Sequence, residues 1–229
     1  YGYGRYDNVL TGLELERMVD SSGPTGGRIL LKDGRPPESV AIVHCVGSRD
    51  EAFNAYCSRV CCMYSIKQAQ LLMGALPLAD ITIYYMDIRA FGKGFEEFYQ
   101  QSIGMGVNFV KGRVAKIEQL ENGDLMLYYE DIEHGGRLSK AVHDLVVLSV
   151  GLLSNQSIAN PFKDLGLKLD PQGWVTPLDE NIDPVKTGVE GIFVAGTVLG
   201  PKDIPDSVVE GSAAAIKAAA YLRRVKSSG

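Results

Sequence analysis

The chain has 229 residues, 45% hydrophobic and 22% charged, with a formal net charge of −5. That length and composition suit a soluble globular protein of one large domain or two small ones. The acidic balance argues against a nucleic-acid interface, which needs a basic face, and no apolar run is long enough to span a bilayer.

Residues 1–9 are rich in Gly and Tyr. Gly2-Tyr-Gly4 has the look of a nucleotide loop, but no strand precedes it. Thr11 is placed to cap a helix over 12–19, with Glu14 at the third helical position as in a capping box. Residues 21–27 read as a Gly/Pro/Ser loop and 33–38 as a linker. The apolar run Ser39 to Val46 predicts a buried strand. The apolar stripe Val60, Met63, Ile66, Ala69, Leu72, Met73 predicts a helix over 57–75. A strand over 80–86, a helix over 94–103 and a strand over 107–110 complete a parallel β-α-β-α-β unit. Two antiparallel strands follow, 113–120 and 124–130, joined at Asn122-Gly123, a strong hairpin signal. Residues 142–150 predict another buried strand. The fold class is therefore α/β, a Rossmann-type parallel sheet with an antiparallel hairpin. A dinucleotide fingerprint needs Gly-x-Gly-x-x-Gly after the first strand. Here the turn reads His44-Cys45-Val46-Gly47-Ser48-Arg49, so nicotinamide binding is not expected.

Beyond Gly151, residues 154–162 read as a loop. Residues 167–169 and 174–176 suggest a small strand pair, and 191–198 a strand and turn. A helix over 206–225, with Asp206 as its N-cap, is rich in Gly, Ser and Ala, which suits close packing on a sheet.

All four cysteines, Cys45, Cys57, Cys61 and Cys62, fall in one stretch with the spacing Cys-x11-Cys-x3-Cys-Cys. Cys45 sits near the end of the predicted strand. On the predicted helix, Cys57 and Cys61 would share a face, with Cys62 about 100° further round. A helix N-terminus favours negative charge, and so thiolate. Four thiolates can hold a [4Fe–4S] cluster or structural zinc. Zinc sites usually use paired Cys-x2-4-Cys knuckles, and the adjacent Cys61 and Cys62 suit the wider iron–sulfur cube better. The bland alternative is four unliganded thiols. Free cysteines and no export signal point to the cytoplasm and away from structural disulfides. A redox disulfide is disfavoured, because neighbouring cysteines form strained rings and Cys-x3-Cys is not Cys-x-x-Cys. His44, beside Cys45 at the end of a buried strand, reads either as a residue that tunes the cluster or, the favoured reading, as a satisfied core residue; His134 and His143 are expected to be structural or exposed.

The strand–helix layout of 38–151 resembles the nicotinamide domain of two-dinucleotide flavoproteins. Gly191 to Ala214 resembles the last strand–turn–helix of thioredoxin-reductase-like flavoproteins, except that Thr197 stands where that family usually has Asp. The motifs Cys45-Val-Gly-Ser-Arg49, Cys57-Ser-Arg-Val-Cys-Cys-Met63 and Gly200-Pro-Lys-Asp-Ile-Pro-Asp-Ser-Val208 resemble the heterodisulfide reductase A-subunit family. Tyr3 to Met18 and Phe91 to Phe98 match the same family. The resemblance covers essentially the whole chain. It implies an electron-transfer protein with FAD and a [4Fe–4S] cluster on a thioredoxin-reductase-like core. Cys45, Cys57, Cys61 and Cys62 would hold the cluster. Gly196, Thr197, Lys202, Asp203, Ile204, Pro205, Ser207 and Val208 would lie along FAD. Lys202 would either tune the flavin or be a solvated loop lysine. The implied domains are a connector with a partial FAD-domain segment (1–37), a nicotinamide-domain-like part carrying the cysteines (38–151) and the C-terminal part of the FAD domain (152–229). Other redox subunits are the implied partners, with a homodimer also open. The family's upstream Gly-x-Gly-x-x-Gly strand and its ferredoxin-like cysteine motifs do not occur here. The chain is therefore expected to be a C-terminal piece that binds FAD weakly or not at all. Two alternatives stay open: a related quinone- or sulfur-linked homologue, and a non-catalytic zinc- or thiol-bearing scaffold that docks partners.

Overall fold

A computed structural model describes residues 1–155, 161 and 164–227. Most of the loop expected over 154–162 lies outside the described residues. The chain divides into two compact units, Tyr1–Cys57 with Cys61–Gly151, and Ser58–Val60 with Leu152–Gly229.

The first unit is an α/β fold of Rossmann type. Its strands are β1 (Val9–Thr11), β2 (Ser39–Val46), β3 (Asp80–Tyr85), β4 (Asn108–Gln119), β5 (Leu125–Asp131), β6 (Arg137–His143) and β7 (Leu145–Val150). Its helices are α1 (Gly12–Val19), α2 (Cys61–Ala75) and α3 (Phe95–Gly104). The strands form one sheet in the order β1-β7-β2-β3-β4-β5-β6. Pairing is parallel from β1 through β4 and antiparallel from β4 to β6. The sheet is covered on both faces, which explains the uninterrupted apolar run of β2. Val40 and Ile42 pack with Ile66, Ala69 and Leu72 of α2. Ala41 and Val43 point the other way, into a core shared with Val114, Ile117, Leu125 and Leu127 of β4 and β5. The antiparallel end thus curls over one face of the parallel end.

Several boundaries follow from local chemistry. The Thr11 hydroxyl accepts from Glu14 N at 3.3 Å and the Glu14 carboxylate accepts from Thr11 N at 2.7 Å, a complete capping box that starts α1. Gly123, at φ 92°, makes the expected turn between β4 and β5.

Others differ from expectation. The helix expected over 57–75 starts at Cys61, because Arg59 has φ 64°, a left-handed conformation no α-helix accommodates. The two strands expected at 107–110 and 113–120 are one, with Gly112 at the change of partner. Strand β6 is an addition to the expected set. The strand expected over 142–150 is split at Asp144, whose carboxylate accepts from Glu38 N (2.8 Å) and Ser39 N (3.0 Å).

The second unit has no extended sheet among its described residues. It holds three isolated bridges, Leu169 with Val175, Asp179 with Asp183 and Lys186 with Phe193. A 3-10 turn (Gly196–Val198) precedes helix α4 (Ile204–Ser227). Asp203 caps α4, its Oδ1 accepting from Asp206 N at 2.9 Å, so the cap is Asp203 and not Asp206. The expected packing of α4 on a sheet is also absent. None of its residues is buried, and the described residues of this unit form no sheet to receive it. Lys217 and Arg224 instead tie α4 to Asp183 (2.8 Å) and Glu190 (2.6 Å). Among the described residues no helix is long and apolar enough to cross a membrane.

Candidate functional site

The cysteine site begins where β2 stops behaving as a strand. Its register against β7 shifts between Val43 and Val46, and Cys45 adopts φ 57°. A tight turn follows, with Ser48 N donating to Cys45 O at 3.2 Å. The next loop folds back on itself: Arg49 N donates to Tyr56 O (3.1 Å), Asp50 N to Asn54 O (3.0 Å) and Asn54 Nδ2 to Gly47 O (2.9 Å). That return brings Cys57 back towards Cys45. Cys61 and Cys62 open α2, buried at 3% and 4% exposure. Among the described residues, the non-glycine residues with positive φ are Cys45, Arg49 and Arg59. All three lie in the cysteine stretch, and strained backbone of this kind clusters at functional sites.

The four sulfurs share one electrostatic neighbourhood. Burial first, and then the neighbouring Cys62, Cys45 and Cys57, together push the Cys61 thiol up to about 12. Burial pushes Cys62 up to about 11, against a hydrogen bond from the Arg89 backbone. Burial also raises Cys45, opposed by the charge and hydrogen bond of the Arg49 guanidinium. Arg49 Nη1 is 2.6 Å from Asp87 Oδ1, and Cys62 Sγ lies 3.8 Å from Asp87 O.

Among the described residues no group of three or more His, Cys, Asp or Glu is set to hold a metal ion. The chemistry of the donor set still fits a larger cluster. It supplies four sulfurs that act on one another electrostatically, the number that a [4Fe–4S] cluster takes, and N–H donors face two of them. His44 adds a second observation. It is 7% exposed, and neither ring nitrogen has a hydrogen-bond partner. Burial lowers its pKa to about 4, against the attraction of Asp87. The expectation of a satisfied core histidine is corrected: leaving such a group orphaned costs about 1–3 kcal/mol. His44 and Cys45 border the same cleft, about 860 Å³, lined also by Ser48, Tyr85 and Arg113.

The second group of expected site residues lies in the second unit. Gly196 has φ 73°, and Glu210 Oε2 accepts from its N–H at 2.8 Å. Glu210 Oε1 is 2.5 Å from Lys202 Nζ. Lys202 is therefore no solvated loop lysine, its side chain being 9% exposed. Asp203 is the helix cap, and Ser207 Oγ donates to Asp203 O at 2.7 Å. Thr197, Ile204, Pro205 and Val208 are exposed. The eight residues thus share one turn and helix start. Sequence reasoning missed Glu210. Its one signal is that no other acidic residue occurs from Ser207 to Ser227 in a helix of small residues.

No family model matches the chain. Over 223 residues it is 48% identical to the A-subunit of the H2:CoB-CoM heterodisulfide,ferredoxin reductase of Methanothermobacter marburgensis, covering 96% of this chain and 34% of that protein. It is 47% identical over 226 residues to an iron-sulfur A-subunit of the CoB–CoM heterodisulfide reductase of Methanopyrus kandleri, covering 97% and 34%. With the A-subunit of the ferredoxin:CoB-CoM heterodisulfide reductase of Methanosarcina mazei the identity is 44% over 219 residues, covering 95% and 28%. The chain spans about a third of the length of the curated relatives it matches.

Proposed function

This chain belongs, over the span it covers, to the heterodisulfide reductase A-subunit family, and on that premise we propose that it is part of an electron-transferring oxidoreductase complex. Cys45, Cys57, Cys61 and Cys62 hold a [4Fe–4S] cluster in this reading, and a bound cluster would supply one-electron chemistry. Gly196, Thr197, Lys202, Asp203, Ile204, Pro205, Ser207 and Val208 line an FAD. Lys202, held by Glu210, puts a cation at that turn. The Lys202 charge is balanced by Glu210, and the start of α4 adds partial positive charge beside the pair, which favours a negatively charged ligand. The 1–37, 38–151 and 152–229 segments serve as connector, cluster-bearing part and flavin-facing part. In the whole protein, partner redox subunits deliver and accept the electrons.

The gathering of the four sulfurs from a strand end, a return loop and a helix start carries this reading. Strictly anaerobic reconstitution with iron and sulfide tests it. About four irons per chain and a broad absorption near 400 nm, both lost in Cys61→Ser, are expected of such a cluster. One zinc per chain in a colourless protein would replace the reading with a structural metal domain. Flavin titration of the same sample tests the turn. Binding weaker in Lys202→Ala than in the parent supports the FAD assignment, and equal affinity removes Lys202 from it.

A further inference from the structure

Arg49 is held in place by both backbone and side chain. Its N–H donates to Tyr56 O at 3.1 Å, and its backbone is held in the left-handed region at φ 57°. Its guanidinium meets Asp87 at 2.6 Å, just beyond β3, and is a hydrogen-bonding neighbour of the Cys45 sulfur. Asp87 also meets Arg89 Nε at 3.4 Å, so two cations surround one carboxylate and the group is net positive. The two cations are not equivalent. Arg49 has 22% of its side chain exposed and Arg89 has 42%, so solvent screens the Arg89 charge more. Asp87 reaches the cysteines a second way, since its carbonyl oxygen is 3.8 Å from Cys62 Sγ. One residue pair therefore spans the turn bearing Cys45 and the segment facing Cys62.

We propose that Arg49, anchored by Asp87, is a positioning residue that directs a charge-assisted hydrogen bond onto the Cys45 sulfur and so raises the reduction potential of the group the four cysteines hold. This inference rests on the cluster reading given above. A cluster ligated by four thiolates carries net negative charge, and that charge grows on reduction. A fixed cation and a hydrogen bond at a ligand sulfur stabilise the reduced form more than the oxidised one, and such bonds are a recognised control of cluster potential. Arg suits the role better than Lys, because its planar fork can serve a carboxylate and a sulfur at once.

The test is a redox titration of the reconstituted chain followed by electron paramagnetic resonance, with iron and sulfide counted in each sample. Arg49→Gln is expected to keep its iron and to move the midpoint negative by about tenfold in the reduction equilibrium, ~59 mV for a one-electron couple. Arg49→Lys keeps the charge and loses the fork, so it is expected to shift less. An iron-loaded Arg49→Gln with an unchanged midpoint would overturn the proposal and leave the cluster reading standing. Loss of iron in both variants would make Arg49 a structural residue and overturn it too. An absence of iron in the parent chain would remove the cluster reading, and this inference with it.

Discussion

Glu210 holds Lys202 and the Gly196 backbone at once, with one carboxylate oxygen 2.5 Å from Lys202 Nζ and the other 2.8 Å from Gly196 N. Lys202 and Glu210 are largely shielded, at 9% and 19% exposure. Removing one partner of a shielded ion pair strands the other charge, a loss of about 3 kcal/mol. Glu210→Ala is therefore expected to lower the unfolding midpoint sharply. The double variant Lys202→Met, Glu210→Leu is expected to regain most of the loss. A double-mutant cycle in urea with no coupling would show that the pair contributes nothing.

Asp203 is both an expected flavin contact and the cap of α4. The two roles separate by substitution. Asp203→Ala loses the bond to Asp206 N and is expected to cost about 1 kcal/mol, whereas Asp203→Asn keeps a capping oxygen and stays near the parent. Thermal unfolding of the three proteins checks this. Equal loss in both variants would mean that the charge, and not the cap, is what matters.

Gly112 sits where β4 exchanges one neighbour for another: Lys111 is the last residue paired with β3, and Gly112 is the first paired with β5. A Cβ here would lie 2.7 Å from Glu130 O and 2.9 Å from Tyr129 Cδ2. Backbone cannot yield cheaply, so Gly112→Ala is expected to destabilise by about 1–3 kcal/mol. Denaturant unfolding with an unchanged midpoint would contradict so close an approach of β4 and β5.

His143 is buried between two hydroxyls, with Ser39 Oγ 2.7 Å from Nδ1 and Tyr84 OH 2.9 Å from Nε2. Burial pushes its pKa down to about 4 from an ordinary 6.5, against the attraction of Asp144 and Asp80. Between those values the unfolded chain binds a proton that the folded chain refuses. Stability is therefore expected to fall as pH drops from about 6.5 to about 4, by at most about 3 kcal/mol from this residue. His143→Gln is expected to flatten that part of the profile, measured as urea midpoints at about pH 7 and about pH 5. Identical profiles would rule out His143 as a source of the slope.

Features whose causes act within a few residues are legible in the sequence alone. Ser39–Val46 reads as a buried strand from its apolar run. The Thr11–Glu14 box and the Asn122-Gly123 turn read from side chains that satisfy neighbouring backbone. The crowding of four cysteines into one stretch is plain, and so is the family resemblance of their spacing. Tertiary structure decides what depends on distant partners. Gly112 reads as a strand break because its function, admitting the β5 backbone, belongs to a residue eighteen positions away. Cys57 reads as helical because only the folded chain puts Arg59 in a left-handed conformation. Lys202 could pass for a solvated lysine because Glu210 reaches it only once α4 has formed and turned that carboxylate towards Gly196. His44 reads as satisfied because a sequence shows burial but not whether a partner arrives. Caps, turns and periodicity are local free-energy preferences, whereas ion pairs, close backbone approaches and orphaned polar groups exist only where packing brings separate segments together.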